Sequence, residues 1–388
     1  MGAGDSDDPL QMTPSRVGLV VPTRNAGDRW RLFLHALCNQ AFIPGRLLVI
    51  DSSSEDETAS LARAHGFDVR VISAESFDHA ATRQLGADLL PGADILIYMT
   101  QDAVLATDQA LPRLLRAFRD PSVGAVYGRQ LPRDKADAIE AHSRSFSYGE
   151  RSSVKSIDDV PRAGLRAAFI SNAFAAYRRT ALRAVGGFPP CAIGSEDMYV
   201  GARLILAGWQ IAYRGDACVY HSHGYTPWQE FQRYFDIGAF HSHEPWIRKA
   251  FGKPEGEGIR YMRSEAAYLR SHAAPWVLAE AVLRSGLKYL GFRIGLLSRW
   301  LPRALSTALS GHRSFWRNAR AAEGQARGRW DLQVLRAGTE RSRVADPQRG
   351  RPMGGEETVQ RGPRMVARSA STWIGPCGRQ RRVTHYED

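Results

Sequence analysis

Four apolar segments in the first hundred residues alternate with helical patterns, and two of them lead to a carboxylate. Asp51 ends the second segment, and Asp102 follows the fourth by two residues. Alternation of strands with helices is typical of parallel βαβ units, and ligands of such open sheets bind outside the carboxyl ends of the strands. We therefore expect an α/β fold in which both acids face a ligand site. The segments are VGLVVPT at 17–23, RLLVID at 46–51, DVRVIS at 68–73 and ADILIYMT at 93–100.

Composition and pattern divide the chain into four parts. Residues 1–15 are polar and are predicted to be disordered, whereas residues 16–245 carry the α/β pattern. Residues 246–316 are predicted to form a helical extension that associates with a membrane. Residues 317–388 are rich in Arg, Gly, Pro and Ser and are predicted to be a basic disordered tail.

Three segments of the α/β part lead to more local predictions. Residues 123–130, VGAVYGRQ, are predicted to be a fifth strand. Residues 131–165 are polar and aperiodic, which predicts a mobile connection over the site. Residues 209–223, WQIAYRGDACVYHSH, are predicted to be a last pair of strands.

The charge of the chain is distributed unevenly. Residues 1–240 carry 25 basic and 27 acidic side chains, whereas residues 241–388 carry 27 basic and 13 acidic ones. A basic surface attracts nucleic acid or anionic lipid, but a nucleic-acid-binding protein would carry basic and aromatic residues across its folded domain. Because the excess lies outside the α/β part, we expect no nucleic-acid partner. A nucleic-acid-binding protein stays the alternative from another class.

The most apolar stretch of the chain runs from Pro275 to Pro302 and is interrupted by Arg and Lys residues. No run in it reaches the roughly 20 apolar residues of a membrane-spanning helix. Aromatic and basic residues together fit a helix that lies in a membrane interface, and a core helix of the protein is the alternative. The N-terminus lacks the pattern of a signal peptide. We therefore expect a cytoplasmic protein that is peripheral at the inner face of the cell membrane.

Six motifs in a fixed order resemble those of glycosyltransferase family 2, over roughly residues 16–245. The resemblance implies the GT-A fold, a Rossmann-like, mixed and mainly parallel sheet flanked by helices, and inverting transfer of a sugar from a nucleotide diphosphate. Two of the motifs, FDHAATRQLGA and YMTQDA, are similar to those of bacterial rhamnosyltransferases. The six motifs are VVPTRN, DSSSEDET, ESFDHAATRQLGA, YMTQDA, GSEDMYVGARLILAGW and YHSHGYT.

The similarity to rhamnosyltransferases implies dTDP-L-rhamnose as the donor. It also implies a saccharide acceptor, lipid-linked, in the synthesis of a bacterial surface polysaccharide. Two alternatives stay open within the family. One is a transferase that uses a UDP-hexose or UDP-N-acetylhexosamine, and the other is a catalytically inactive relative.

The resemblance also implies a set of donor-binding residues. Asp51 is expected to accept a hydrogen bond from the ring N–H of thymine or uracil. Arg83 is expected to pair with the diphosphate, because a guanidinium binds phosphate oxygens bidentately, and a surface salt bridge is its alternative role. The implied donor-binding residues are Thr23, Arg24, Asn25, Asp51, Asp78, His79, Arg83, Gln101 and Asp102.

Asp102 stands where the family carries its metal-binding acids, but the chain departs from the family motif next to it. Many relatives have two acids, whereas this chain reads Gln101-Asp102-Ala103. A divalent cation that neutralises the leaving diphosphate needs further ligands. The resemblance implies His221 or His223 as the helper of Asp102, with Mn²⁺ or Mg²⁺ as the metal. A structural role in a loop is the alternative for both histidines.

Glu196 and Asp197 open a predicted helix after a Gly-rich stretch. The resemblance makes Asp197 the general base, which takes the proton of the acceptor hydroxyl as it attacks. Glu196 is then expected to orient Asp197. The alternative is that the pair only caps the helix, because a helix N-terminus stabilises carboxylates.

Overall fold

The computed structural model describes residues 13–252 and 255–316, together with two short segments nearer the C-terminus. The eleven strands in these parts are β1 (Val17–Thr23), β2 (Arg46–Asp51), β3 (Asp68–Val71), β4 (Ile95–Met99), β5 (Val104–Leu105), β6 (Val123–Leu131), β7 (Ser153–Lys155), β8 (Phe174–Arg178), β9 (Gln210–Tyr220), β10 (Ala370–Ile374) and β11 (Gln380–Thr384).

Helices connect most of the strands and dominate the chain after β9. The helices are α1 (Gly27–Cys38), α2 (Thr58–Ala64), α3 (His79–Leu89), α4 (Ala110–Leu115), α5 (Ala138–Ser147), α6 (Val160–Ala163), α7 (Arg179–Ala184), α8 (Glu196–Leu206), α9 (Pro227–His243), α10 (Pro245–Phe251), α11 (Glu255–His272), α12 (Pro275–Leu296) and α13 (Arg303–Leu309).

One mixed sheet of nine strands organises the protein. The order along its main path is β3-β2-β1-β4-β8-β6-β9-β5, and β7 pairs with β9 outside this path. The first four strands pair in parallel, as the alternating pattern predicts, whereas β8 runs antiparallel to both β4 and β6. The register places Thr23 opposite Asp51. The carboxyl ends of β1 and β2 therefore meet at one edge of the sheet.

Residues on the two faces of the sheet pack into two separate hydrophobic layers. Val20 lies in one layer, whereas Leu19 and Val21 lie in the other. Successive side chains of a strand point to opposite faces, and an apolar run such as β1 is therefore buried on both sides. This arrangement requires helices on both faces, as expected for an α/β fold.

Two local predictions are wrong. Residues 131–165 contain α5, β7 and α6 and are not an irregular connection. Asp137 begins α5 by accepting a hydrogen bond from the backbone N–H of Glu140 at 2.8 Å. Residues 210–220 form one eleven-residue strand, β9, in place of a strand pair, because β9 runs past β6 with two register shifts and then meets β5.

The helices after β9 pack against the sheet and against one another. Helices α9 and α12 approach closely at Gly238, Gly291 and Gly295, because a Cβ at Gly238 would lie 2.2 Å from the carbonyl oxygen of Phe292. Phe231 and other residues of α9 belong to the same hydrophobic layer as residues of α8. Among the described residues, no helix combines the length and hydropathy needed to cross a membrane.

Beyond residue 316 the described segments are β10 and β11, which pair antiparallel. The other residues of the predicted disordered tail, and the first 12 residues of the predicted disordered N-terminus, lie outside the described residues.

Candidate active site

Asp51 fixes the loops that follow β1 and β2. Its carboxylate accepts hydrogen bonds from the Thr23 hydroxyl at 2.9 Å and from the hydroxyl and backbone N–H of Ser54 at 2.6 and 2.9 Å. Asn25 extends the contact, because its backbone N–H donates to the Ser54 hydroxyl and its side chain accepts from the N–H of Glu55. The contact of Asp51 with a pyrimidine base stays a prediction.

Gln101 joins the turn after β4 to the loop after β1. Its amide oxygen accepts from the backbone N–H of Arg24 at 2.8 Å, and its amide nitrogen donates to the carbonyl of Arg24 at 3.1 Å. A carboxylate only accepts hydrogen bonds, so an acid here could make one of the two bonds. Both groups of the Gln101 amide therefore hold the two loops together, which an acid at this position could not do. The Arg24 side chain is exposed.

Arg83 forms a buried ion pair with Glu196. Its Nη1 lies 2.8 Å from Glu196 Oε1, and both side chains are almost fully buried. Asp78 begins the helix that carries Arg83 by accepting from the N–H groups of Ala80 and Ala81. The surface salt bridge considered as an alternative is therefore wrong, because Arg83 links α3 to the predicted Glu196–Asp197 motif.

The two adjacent carboxylates of α8 have different environments. Burial raises the pKa of Glu196, but Arg83 outweighs this effect, and the net pKa lies below the ordinary value. Burial and the neighbouring Glu196 raise the pKa of Asp197 to about 7. Asn172 contacts both acids, because its side chain donates to Glu196 at 3.1 Å and its N–H donates to Asp197 at 3.4 Å. Environments that separate two carboxyl pKa values are typical of acid–base sites.

His221, His223 and Asp102 come together where β5 pairs with β9. Val104 lies opposite Tyr220 in this pairing, which brings the turn before β5 against the residues after β9. Asp102 Oδ1 lies 3.5 Å from His221 Nε2, and Asp102 Oδ2 lies 3.8 Å from His223 Nδ1. One ligand atom from each of the three residues lies within 4.8 Å of the others.

The contacts of His221 leave one of its ring nitrogens suited to bind a cation. Its Nδ1 lies 2.8 Å from Gln130 Oε1, which only accepts hydrogen bonds, so Nδ1 carries the proton and Nε2 keeps its lone pair. Nε2 is buried and makes no hydrogen bond to the described residues. Burial lowers the pKa of His221 to about 3, so its ring is neutral. Two imidazoles and a carboxylate suit Mn²⁺ or another transition metal better than an all-oxygen site would.

Two adjoining cavities meet at Asp197. The first cavity, of about 540 Å³, is lined by residues that include His79, Arg83, Asp197 and His221. The second cavity, of about 330 Å³, lies among α5, α9, α11 and α12 and also has Asp197 in its wall. Thr23, Arg24, Asn25, Asp51 and Gln101 do not line either cavity, and form a separate group at the ends of β1, β2 and β4.

Several residues of the site were not predicted from the sequence. Gln130 lies inside β6, and Asn172 lies just before β8. His312 reaches the first cavity from the segment after α13, where the centroid of its ring lies 5.4 Å from that of His79. Polar residues inside or next to apolar runs are the one signal that could have identified Gln130 and Asn172.

Comparisons with known proteins identify the family of the chain. The model of glycosyl transferase family 2 matches residues 19–186. The O-antigen chain rhamnosyltransferase WbaN of Salmonella anatum is 42% identical over 301 residues, which cover 77% of this chain and 95% of that protein. The O-antigen chain rhamnosyltransferase RfbN of Salmonella typhimurium is 41% identical over 304 residues, which cover 78% of this chain and 96% of that protein.

The chain is also similar to a solved structure, the mannosyltransferase PcManGT from Pyrobaculum calidifontis in complex with GDP-Man and Mn²⁺. The similarity covers 85% of this chain and 88% of that chain, with 18% identity and a TM-score of 0.45. The sequence relatives and the family model establish the identity: the chain is a glycosyltransferase that belongs to glycosyltransferase family 2 and has the GT-A fold.

Proposed function

We propose that the chain transfers L-rhamnose from dTDP-L-rhamnose to a saccharide in the synthesis of O-antigen. The observation that carries the proposal is the identity of 42% and 41% to two proteins named O-antigen chain rhamnosyltransferase, over nearly their whole lengths. The geometry of the buried acids supports an inverting mechanism, because a single base, Asp197, lies where two cavities meet.

Asp197 takes the proton from the acceptor hydroxyl as that oxygen attacks the anomeric carbon of the donor sugar. A base is most effective when its pKa lies near the working pH, and the pKa of Asp197 is about 7. Glu196 stays ionised because Arg83 faces it. The fixed charge of Glu196 keeps the pKa of Asp197 high, so Glu196 tunes the base as well as helping to position α8.

Asp102, His221 and His223 would hold the divalent cation. Such an ion, when bound, supplies positive charge that stabilises the diphosphate leaving group. Gln130 holds the ring of His221 in the orientation and tautomer that a ligand needs. Arg144 donates to the same oxygen of Gln130 at 2.7 Å, and the Gln130 amide donates to Ser171 at 2.8 Å. The side chain of Gln130, which orients His221, therefore has hydrogen-bond partners within the protein for both its oxygen and its nitrogen.

A transfer assay tests the proposed donor and acceptor class. The full chain is incubated with Mn²⁺, labelled dTDP-L-rhamnose and membranes from the bacterium that makes it. We expect label in the lipid extract. We expect no label when the chain is left out and the membranes come from cells that lack the protein. Incorporation from a labelled UDP-hexose in place of dTDP-L-rhamnose would overturn the proposed donor and keep the family.

The activity is expected to rise with pH through the pKa of Asp197. Because the base acts in its ionised form, kcat/KM should be low below pH 6, half-maximal near pH 7, and level above pH 8. The expected gain from pH 6 to pH 8 is roughly tenfold, as for a single ionisation. The measurement is kcat/KM for dTDP-L-rhamnose at saturating metal and acceptor. A level profile from pH 5 to pH 8 would contradict the role of Asp197.

We also propose that the outward face of α12 binds the anionic surface of a membrane. Trp276, Leu283 and Leu290 follow one another at seven-residue spacing on this helix and are all largely exposed. An exposed apolar face of this size on a helix that packs by its other face is typical of an interfacial helix. Arg293 and Arg299 are exposed beside it and supply the charge that anionic headgroups attract.

Replacement of both Leu283 and Leu290 by aspartate is expected to weaken membrane binding strongly. Burial of a leucine is worth about 1.5–3 kcal/mol, so loss of both should weaken partition by roughly 100-fold or more. Cosedimentation with vesicles of phosphatidylglycerol and phosphatidylcholine at low salt measures this. Leu32→Asp, at an exposed leucine of α1, is the matched control and should bind normally. Vesicle binding by the double variant equal to that of the wild-type protein would exclude this face of α12 as the membrane-binding surface.

A further inference from the structure

We propose that the second cavity binds the acceptor as a neutral saccharide, with Glu230 as a hydrogen-bond acceptor for one of its hydroxyl groups. The inference rests on the proposed function, because it supplies the hydroxyl that Asp197 deprotonates. It extends that function by assigning acceptor recognition to the helices after β9. Residues 246–316, which contain α11, α12 and α13, were expected from the sequence only to form a membrane-associating extension.

The position of the second cavity fits an acceptor. Asp197 and the metal-site residue His223 lie in the walls of both cavities, whereas His221, Arg83 and Glu196 line only the first. A substrate in the second cavity therefore reaches the base from among α5, α9, α11 and α12, and not through the part of the first cavity that His221 and Arg83 line. Inversion requires that the acceptor hydroxyl attacks the anomeric carbon from the side opposite to the leaving group, and entry of the acceptor through a cavity of its own is compatible with this.

Aromatic rings give the second cavity surfaces for a sugar. Tyr148, Phe169, Tyr225, Tyr234 and Tyr261 all line it. An aromatic ring buries a large apolar area while a tyrosine keeps a polar group at its edge. Ligand sites of this kind combine apolar walls with a small number of placed polar groups that fix orientation. The mixture suits a saccharide, whose ring presents C–H groups on its faces and hydroxyl groups at its rim.

Glu230 provides the placed polar group. It is 8% exposed, and its Oε1 lies 3.2 Å from Lys288 Nζ. Its Oε2 lies 3.5 Å from Arg284 Nη1 and makes no hydrogen bond to the described residues. A buried carboxylate oxygen without a hydrogen bond is costly. A sugar hydroxyl that donates to Oε2 would satisfy it.

The charges next to Glu230 disfavour an anionic group at that point of the cavity, although Arg144 and Arg233 also line the cavity. Arg284 forms ion pairs with Glu280, at 2.6 Å, as well as with Glu230, and Lys288 faces Glu230. Both cations of α12 in this wall are therefore already matched by carboxylates. A phosphate group beside Glu230 would have to displace these partners, whereas a neutral sugar leaves them in place.

Binding of methyl glycosides tests the inference without the donor. Methyl galactoside, glucoside, mannoside and rhamnoside are titrated into the full chain and followed by saturation-transfer NMR. We expect at least one of them to bind, and Glu230→Gln to weaken its Kd by at least tenfold. Glu280→Gln is the matched control, because it removes the other carboxylate partner of Arg284 outside the cavity, and it should leave the Kd within twofold.

Three outcomes would overturn the inference. The first is that no methyl glycoside binds the wild-type chain, and the second is that Glu230→Gln and Glu280→Gln weaken the Kd equally. The third is that inorganic pyrophosphate displaces the glycoside and binds Glu230→Gln more tightly, which would indicate an anion site. The Kd of dTDP-L-rhamnose with Mn²⁺ is measured on the same variants and should not change. Absence of donor binding by the wild-type chain would reject the proposed function while the glycoside result stood.

Discussion

Replacement of Asp197 by asparagine is expected to lower kcat/KM for sugar transfer by about 10²–10⁴-fold, the usual contribution of a general base. The amide cannot take the proton of the acceptor hydroxyl, although its size is nearly that of the carboxylate. The Kd of the donor, measured by calorimetry, should stay within about twofold of the wild-type value, because the ion pair between Arg83 and Glu196 is unchanged.

The stability of the Asp197→Asn protein separates loss of catalysis from loss of folding. Burial and Glu196 disfavour the charge of Asp197, so its removal should leave the thermal midpoint equal to the wild-type value or raise it. Glu196→Gln should do the opposite, because it leaves the buried guanidinium of Arg83 without its ion-pair partner. An Asp197→Asn protein that keeps more than a tenth of the activity would show that another group is the base.

Removal of a metal ligand is expected to have the second-largest effect. Asp102→Asn and His221→Ala should each weaken Mn²⁺ binding by more than the roughly 10–100-fold that loss of an outer-shell partner costs. Asp102 supplies the one negative charge among the three residues, and His221 supplies a buried nitrogen with a free lone pair. Titration calorimetry of Mn²⁺ in the presence of dTDP measures the affinity.

Two further variants calibrate the metal-ligand result. Gln130→Met keeps the size of the side chain but loses the hydrogen bond to His221, so its loss of affinity should lie between wild type and His221→Ala. His65→Ala replaces a partly buried histidine at the end of α2 and should bind Mn²⁺ normally. Unchanged Mn²⁺ affinity in Asp102→Asn and His221→Ala would place the metal elsewhere or remove it from the reaction.

The sequence was sufficient to predict the structure where local contacts or the pairing of neighbouring strands determine it. The parallel pairing of β1, β2, β3 and β4 follows from apolar runs that alternate with helical patterns. The joining of Asp102 with His221 and His223 was expected from the family motifs and is observed. Its geometric cause, the two-residue strand β5 against the end of β9, is too short to be recognised from periodicity.

The sequence was insufficient where the chain folds back over long distances. Arg83 and Glu196 are 113 positions apart, and no local pattern joins a helix of the first half to α8. Residues 131–165 gave no clear pattern because α5, β7 and α6 are short, and polar residues that begin helices or line the second cavity stand within and between them. The second cavity combines residues from α5, α9, α11 and α12, and only the tertiary packing of these helices brings them together.

Donor binding by wild-type protein is the measurement that tests the central claim most directly. Thermal unfolding is followed with dTDP-L-rhamnose, UDP-glucose, UDP-galactose and UDP-N-acetylglucosamine, each with Mn²⁺, with Mg²⁺ and with neither, because a ligand that binds the native state raises its stability. A rhamnosyltransferase with a metal site at Asp102, His221 and His223 should show a raised midpoint with dTDP-L-rhamnose and a metal, and with no other pairing. A midpoint raised by a UDP-sugar and not by dTDP-L-rhamnose, or a midpoint that no donor raises, would contradict this account.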